Sequence, residues 1–367
     1  MDFLQDLEKI CKINSFTGNK KGVDEVASVM KDWLEPLGFQ TEVFKREHIG
    51  DHILFKSPKC DGDKILLLGH NDTVFPEGQF DSYHEDDNWV YGPGVCDMKG
   101  GNIVALEALE LIYEKNGKIN NIDFLLVSDE ETGSDDSKFV TLELAKNYDY
   151  CFVYEAAGEN LEVVTGRKGV GTYTITIEGR AAHAGVRYSD GINANLEASY
   201  KLQELTKLTY LDIGTTVNVG KIIGGIGANT ISPKCELLLE IRYTKTSEKE
   251  RLLKALDNIT NTSYVEGTTS RLDGLIQRDV MEPNSNQTKL ISRLEDITGY
   301  SISPEQRGGV SDANHVASCG VVTLDGFGPF GDGDHTVHER ALKSSFIQRI
   351  DMMSKIFESH QSNNCKL

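Results

Sequence analysis

Two hydrophobic patterns take turns along the first 165 residues. Residues 21–37 repeat apolar side chains with a period near 3.6, and Gly38 follows them. This pattern predicts an amphipathic helix that ends at the glycine. Residues 64–69 and 124–128 are short apolar runs typical of buried strands, and residues 101–113 again have the period of a helix. Strands that alternate with helices in this way predict a largely parallel sheet.

The pattern changes after residue 166. Residues 172–179 alternate polar and apolar side chains with period two, as a half-buried antiparallel strand does. The elements predicted next are a helix at 193–207, strands at 216–223 and 234–243, and a helix at 247–259. This order is typical of a small α+β unit. We therefore predict an inserted domain of residues 167–276.

Strands and helices alternate again from about residue 277. The elements predicted there are a helix at 287–298, a strand at 321–324 and a final helix at 344–360. The main domain is therefore predicted to be discontinuous, with residues 1–166 and 277–367 forming one α/β fold.

Composition narrows the class of protein. The chain has 367 residues, of which 39% are hydrophobic and 26% charged, as in an ordinary soluble protein. No apolar run approaches the roughly 20 residues that span a bilayer, and the acidic N-terminal segment lacks the pattern of a signal peptide. We expect a cytoplasmic protein without a membrane partner. The net charge of −19 argues against a nucleic-acid partner, because phosphate binding needs a basic face.

The seven cysteines are scattered and contain no Cys-x-x-Cys pair. Such spacing predicts reduced, packed thiols in a cytosolic protein. Cys96 precedes a candidate metal ligand, but packing is the favoured interpretation.

Metal-binding side chains follow three of the predicted strands. The first strand leads to His70 and Asp72, the second to Glu130 and Glu131, and the third to Glu155. Open α/β sheets bind their ligands at the carboxyl ends of strands. Each of these residues taken alone is more often structural, for example part of a solvated acidic turn. Their repeated placement at strand ends favours a metal site.

Two more candidates complete the set. Asp97 lies in the glycine-rich segment 92–101, and His335 follows Gly331-Asp332-Gly333-Asp334. A pair of divalent ions needs imidazoles, carboxylates and one bridging carboxylate. The predicted ligands are His70, Asp97, Glu131, Glu155 and His335, drawn from five separate strand ends, with Asp97 shared. Asp72 is placed to accept the second ring N–H of His70, and Glu130 to act as general base and acid.

The ordered series of motifs resembles the zinc-dependent exopeptidase superfamily that contains glutamate carboxypeptidases, aminoacylases, acetylornithine deacetylases and tripeptidases. The matching segments are 69–74, 92–101, 128–134, 179–185, 224–233 and 308–313. They extend over essentially the whole chain. The glutamate carboxypeptidase branch is the most similar, through residues 306–313 and 324–329.

The resemblance implies an α/β fold with a mostly parallel sheet, helices on both of its faces and an inserted α+β dimerisation domain. It assigns His70 and Glu155 to one zinc ion and Glu131 and His335 to the other, with Asp97 as the bridge. Cobalt or manganese would also suit these ligands. The resemblance also implies that Glu130 is the catalytic base and that the Asp97–Met98 peptide bond is cis.

The resemblance further implies a homodimer in which the inserted domain serves the active site. His183 matches a residue that reaches across from the partner subunit to polarise the scissile carbonyl. Asn229 matches a substrate contact, and Arg242 and Arg278 match groups that bind a substrate carboxylate. Lys168 stands where some members have a small hydroxyl residue, which leaves the substrate open.

The expected function is a metallohydrolase that releases a C-terminal amino acid, with glutamate as one candidate, from a peptide or N-acyl amino acid. The alternative is a small-acyl deacylase of the acetylornithine or succinyl-diaminopimelate type. An aminopeptidase and a non-catalytic binding protein that retains the fold are weaker alternatives. A dinucleotide-binding dehydrogenase is disfavoured because no Gly-x-Gly-x-x-Gly turn follows the first strand.

Overall fold

A computed structural model describes residues 3–367 of the chain. Its α-helices are α1 Phe3–Cys11, α2 Lys20–Leu34, α3 Lys99–Asn116, α4 Ser137–Ala145, α5 Ala194–Thr206, α6 Thr246–Asn261, α7 Ser285–Thr298, α8 Ala313–Ser318 and α9 Lys343–Ser362. Its strands are β1 Gln40–Phe44, β2 His52–Lys56, β3 Ile65–His70, β4 His84–Glu85, β5 Trp89–Tyr91, β6 Ile122–Val127, β7 Tyr150–Val153, β8 Val163–Arg167, β9 Gly169–Glu178, β10 Thr216–Gly224, β11 Lys234–Tyr243, β12 Thr269–Arg278, β13 Pro304–Arg307, β14 Val322–Leu324, β15 Gly331–Asp332 and β16 Arg340–Leu342. No helix in this range is long and apolar enough to cross a membrane.

The chain divides into two compact units. The first consists of Met1–Thr165, Pro283–Arg307 and Ser311–Leu367, and the second of Gly166–Glu282 and Gly308–Val310. The predicted insert ended at residue 276, whereas the second unit continues to Glu282. The difference arises because β12 pairs along β9 as far as Arg278 and so belongs to the second unit. A role of this unit in dimerisation stays a prediction.

A six-stranded sheet forms the centre of the first unit, with the order β1-β2-β6-β3-β7-β14. Strand β3 runs parallel to β6 and β7, and β14 runs parallel to β7, whereas β1 and β2 are antiparallel. Every residue of β3 and β6 is buried, which explains their continuous apolar sequences. The prediction of a mostly parallel α/β fold is confirmed. Helices α1, α2, α3, α7 and α9 contribute to the same apolar core.

A second sheet of the first unit, β15-β16-β5-β4, is small and antiparallel. Strand β5 precedes the glycine-rich segment that carries Asp97, and β15 and β16 enclose the loop that carries His335. This sheet therefore fixes the ends of two segments that were predicted to bind metal.

The second unit contains an antiparallel sheet of order β10-β11-β9-β12. Helices α5 and α6 contact this sheet, and their apolar side chains share one core with it. Strand β12 was not predicted from the sequence. It is an edge strand with half of its residues exposed and only one buried, and it contains Gly274 at a φ of 138°, so it lacks the apolar alternation of a half-buried strand.

The cysteine prediction was wrong for one pair. Cys60 and Cys365 form a disulfide across 305 residues of sequence, because the chain after α9 returns to the loop before β3. The N–H of Asp63 donates to the carbonyl of Cys365 at 2.6 Å, and the N–H of Leu367 donates to Asp63 Oδ2 at 2.9 Å. The remaining cysteines are free and mostly buried, as expected.

Candidate metal centre

Three adjacent parallel strands, β6, β3 and β7, each lead to a candidate ligand at their carboxyl ends. His70 is the last residue of β3, and Glu131 lies in the single 3₁₀ turn Glu130–Thr132 that follows β6. Glu155 comes two residues after β7. Because the strands are neighbours in register, these three side chains are brought to one edge of the sheet.

The other two candidates do not follow strands of this sheet, and the expectation that all five would do so was wrong. Asp97 stands two residues before α3, and its peptide bond to Met98 is cis, as the resemblance implied. His335 lies in the loop between β15 and β16, with a φ of 61°. The sequence pattern did not distinguish these two loops from strand ends, because glycines accompany the candidate ligands in both kinds of segment.

The five side chains form two groups that share Asp97. One group is His70, Asp97 and Glu155, and the other is Asp97, Glu131 and His335; within each group the ligand atoms lie within 4.8 Å of one another. His70 Nε2 is 3.1 Å from Asp97 Oδ1, whereas His335 Nε2 is 3.3 Å from Asp97 Oδ2. Asp97 thus directs one oxygen to each group. His335 Nε2 is also 3.0 Å from Glu131 Oε2.

The carboxylates of this cluster are electrostatically crowded. Burial raises the pKa of Glu131 to about 7, and the nearby charge of Asp97 acts in the same direction. Burial and Asp97 also raise the pKa of Glu155 above its usual range. Hydrogen bonds to Asp97 and Glu131 raise the pKa of His335 to about 11. A cluster with more carboxylates than cations is one that divalent ions would neutralise.

The donor set fits a pair of transition-metal ions. Each group offers one imidazole nitrogen and carboxylate oxygens, so each ion would receive three protein groups and keep a position for water or substrate. Zinc, cobalt and manganese all accept such ligands. The identity of the metal stays a prediction.

Asp72 is more than a partner of His70. With Nδ1 protonated, His70 donates to the main-chain carbonyl of Asp72 at 3.0 Å, and the carboxylate atom Oδ1 is farther away, at 3.4 Å. The carboxylate instead accepts the N–H of Glu130 at 3.3 Å, the N–H of Glu131 at 3.2 Å and the hydroxyl of Thr17 at 2.7 Å. Asp72 thus accepts the second ring N–H of His70, as predicted, through its main-chain carbonyl, and its carboxylate lies within ion-pair distance of the same nitrogen. Asp72 holds the turn that carries both glutamates.

The role of Glu130 as the catalytic base stays a prediction. Glu130 begins the turn that also carries Glu131, and its charge contributes to the raised pKa of Glu155. Glu130 belongs to neither ligand group.

Sequence reasoning missed Glu339. Its buried carboxylate accepts the N–H groups of Gly94 at 3.0 Å, Cys96 at 2.9 Å and Asp97 at 3.0 Å. The only signal in the sequence is an acidic residue four positions after His335, and nothing marks it as buried.

Three neighbours of the ligands are absent from both ligand groups. Cys96 is fully buried, which agrees with a packing role. Asp332 forms a two-point ion pair with Arg340, at 2.8 and 2.9 Å. Asp334 lies near Cys96, which donates a hydrogen bond to it.

The predicted residues of the second unit fall into two places. His183 is exposed, and its main chain forms an isolated bridge with Thr230, next to Asn229. Arg242 on β11 and Arg278 on β12 both lie opposite Val170 of the central strand β9. Residues directly opposite each other in a sheet project from the same face, so the two arginines share the face of Val170.

The side chains of Arg242 and Lys168 each contact other residues of the second unit. Arg242 donates to the carbonyl of Gly308 at 3.1 Å and forms an ion pair with Glu240 at 2.7 Å. The end of the Lys168 side chain lies near Gly214, 3.6 Å from where a β-carbon would be. Arg278 is buried. Whether these groups bind substrate stays a prediction.

Comparison with known proteins gives a consistent result. Residues 66–359 match the family model of peptidase family M20/M25/M40. The chain is 27% identical to carboxypeptidase G2 of Pseudomonas sp. over 358 residues, which cover 94% of this chain and 86% of the relative. It is 31% identical to acetylornithine deacetylase of Vibrio parahaemolyticus over 241 residues, 61% of either chain.

Solved structures show the same fold. A tripeptidase of Staphylococcus aureus superposes with a TM-score of 0.81 at 22% identity, with 97% of each chain covered. The YXEP protein of Bacillus subtilis, described as a dinuclear metal-binding peptidase of the M20 family, superposes with a TM-score of 0.72 at 11% identity, again with 97% of each chain covered.

Proposed function

The chain belongs to peptidase family M20/M25/M40, and from this premise we propose that it is a di-zinc amidohydrolase that releases a C-terminal amino acid, with glutamate as the first candidate, from a peptide or an N-acyl amino acid. The observation that carries the proposal is the sharing of Asp97 between two ligand groups, each with one histidine and one further glutamate. The similarity to carboxypeptidase G2 over 94% of the chain supports the carboxypeptidase type.

The residues of the cluster have different roles in amide hydrolysis. Two divalent ions held by His70, Asp97, Glu131, Glu155 and His335 would polarise the scissile carbonyl and lower the pKa of a water molecule. Glu130 accepts a proton from the attacking water and passes it to the leaving amine. The carboxylate of Asp72 accepts the main-chain N–H of Glu130 and so helps to hold Glu130 in place.

We assign the predicted residues of the second unit to substrate binding and to stabilisation of the transition state. His183 of the partner subunit donates a hydrogen bond to the carbonyl oxygen as negative charge develops there. Arg242 and Arg278, on one face of the sheet, bind the terminal carboxylate of the substrate, for which the planar guanidinium group is well suited. Lys168 binds an acidic substrate side chain, which favours glutamate. This scheme requires a homodimer, and the cytoplasmic location is likewise part of the proposal.

A small-acyl deacylase is the second candidate. It is favoured by the 31% identity to acetylornithine deacetylase, although that match covers 61% of either chain. The metal ligands and Glu130 would be the same, and only the walls of the substrate pocket would differ. A non-catalytic binding protein is disfavoured because every predicted ligand and Glu130 are present.

Amine release from N-acyl amino acids tests the proposal. The zinc-loaded protein is assayed with one acyl group attached to Glu, Asp, Leu, Ala or Lys, with and without a chelator, and then with acyl groups of increasing size on the best amino acid. Chelator-sensitive turnover that prefers Glu and tolerates large acyl groups supports the carboxypeptidase. Turnover that depends on a small acyl group supports the deacylase. No turnover with any substrate contradicts both.

A further inference from the structure

The proposed mechanism does not use Glu339, whose side chain accepts three hydrogen bonds close to Asp97. It lies immediately before β16 and four residues after His335. Only 1% of its surface is exposed. Its Oε2 accepts the N–H of Gly94, and its Oε1 accepts the N–H groups of Cys96 and Asp97, at distances of 2.9–3.0 Å.

The main chain of Glu339 binds the same segment. Its carbonyl oxygen accepts the N–H of Gly92 at 3.3 Å, next to the pairing of Arg340 with Tyr91 between β16 and β5. One residue thus accepts four N–H groups of the segment Gly92–Asp97. Gly94 has a φ of 80°, and residues 92–98 form turns and bends, so these N–H donors have no partners within a regular helix or strand.

The loop that carries His335 is closed just before Glu339. Gly331 pairs with Ala341 and Asp332 with Arg340 between β15 and β16, and the guanidinium group of Arg340 also binds the carboxylate of Asp332. Glu339 is therefore fixed relative to His335 on one side and to Asp97 on the other.

We propose that Glu339 is a positioning residue, whose carboxylate clamps the Gly94–Asp97 turn so that Asp97 directs one oxygen toward His70 and the other toward His335. The inference rests on the proposed function only in taking Asp97 as the bridging ligand. Glu339 does not contact substrate or metal in this role. It acts through the backbone of Asp97.

Burying a carboxylate at position 339 costs free energy, and this cost indicates a specific role for its hydrogen bonds. A buried negative charge beside Asp97 is unfavourable, and hydrogen bonds from charged or polar donors must offset it. An apolar side chain would fill the same space without that cost, but it would leave three backbone N–H groups without an acceptor. A glutamine would keep one acceptor oxygen and present an NH₂ group to the remaining N–H donors.

The variant Glu339→Gln tests the clamp by a measurement that does not need activity. We expect it to fold and to bind Co²⁺ about 10–100-fold more weakly than the wild type, the usual effect of losing a group that orients a metal ligand. Dissociation constants come from competition with a chromogenic chelator. The absorption spectrum of bound Co²⁺ should change as well, because the geometry at Asp97 is altered.

Asp123→Asn is the matched control. Asp123 is also a buried carboxylate with three hydrogen bonds, from the N–H of Ser57 at 2.8 Å, its hydroxyl at 3.2 Å and the Tyr148 hydroxyl at 2.7 Å. It lies near the amino end of β6, away from the carboxyl end that leads to Glu131. We expect this variant to lose thermal stability but to bind Co²⁺ with the affinity of the wild type.

The variant Glu339→Asp tests the clamp if the glutamine variant does not fold. It keeps the carboxyl group but withdraws it by one methylene group, so at least one of the three bonds should be lost. Its Co²⁺ affinity should be lower than that of the wild type. Wild-type affinity and an unchanged spectrum in the folded variants would overturn the proposal. Absence of turnover in a Co²⁺-loaded wild type would instead count against the proposed function and leave the affinity comparison intact.

Discussion

At the scale of the residue, Asp72 and Glu339 make the same kind of contact. Both are buried carboxylates that accept backbone N–H groups of a segment that carries a ligand, Asp72 at Glu131 and Glu339 at Asp97. Asp97 itself has its oxygens directed to two histidines. Under the proposed assignment, the same functional group either binds metal or holds a metal ligand in place, depending on which donors the fold brings to it.

Replacing Glu130 with glutamine should separate proton transfer from metal binding. We expect turnover to fall by about 10²–10⁴-fold, the contribution of a general acid–base group, with Co²⁺ affinity unchanged because Glu130 belongs to neither ligand group. Turnover numbers are compared at equal metal occupancy. If the variant retained full activity with full occupancy, Glu130 would not be the base.

Glu110 on α3 gives a pH-dependent prediction away from the site. Burial, together with the charges of Glu107 and Asp6, raises the pKa of Glu110 to about 7. The folded state thus binds this proton more tightly than the unfolded state, so the free energy of unfolding falls as the pH rises from about 4.5 through about 7.

Glu110→Gln should remove this loss of stability. Because Glu110 is only partly buried, we expect the melting temperature at pH 8 to rise by just 1–3 °C, roughly the effect of 1 kcal/mol or less. At pH 4.5 the variant and the wild type should melt together. Glu25→Gln, at an exposed position of α2, controls for the loss of one charge. An equal gain for Glu110→Gln at both pH values would contradict the assignment.

At the scale of the element, the buried strand β3 and helix α3 approach so closely that only glycine fits at position 69. A β-carbon there would lie 2.1 Å from Asn102 Oδ1, while Asn102 Nδ2 donates to the carbonyl of His70 at 2.8 Å. This contact fixes the carboxyl end of β3, and with it His70.

Gly69→Ala should therefore destabilise the protein by about 1–3 kcal/mol, the usual cost of excess volume in a packed core. Chemical unfolding measures the change. Gly220→Ala in strand β10 is the control, because the nearest atom to its β-carbon would be 3.5 Å away. Equal destabilisation of the two variants would show that strand propensity and not the contact with Asn102 is responsible.

At the scale of the whole molecule, the disulfide ties the end of the chain to the loop before β3. It can be counted chemically. A thiol reagent added to the denatured, unreduced protein should label the five free cysteines. After reduction it should label all seven. A Cys365→Ser variant should label all of its remaining cysteines with or without reductant. Seven labels without reductant would mean that the pair is reduced in solution.

The sequence by itself determined the local elements and the types of ligand. Continuous apolar runs gave the buried strands β3 and β6, because a parallel strand covered on both faces needs no polar alternation. Helix α5 was expected to start at Asn193, and the side chain of Asn193 does accept the N–H groups of Asn195 and Leu196. The series of His, Asp and Glu residues was enough to identify the five candidate ligands.

Only the tertiary structure decided which of these residues meet and what holds them. Asp97 and His335 are brought together by a small sheet between segments more than 200 residues apart, and no local pattern records such pairing. The burial of Glu339 and the pairing of Cys60 with Cys365 were hidden for the same reason. Strand β12 was missed because pairing with β9, not its own apolar pattern, makes it a strand. Local patterns record what each segment prefers, whereas contacts between distant segments depend on how the whole chain packs.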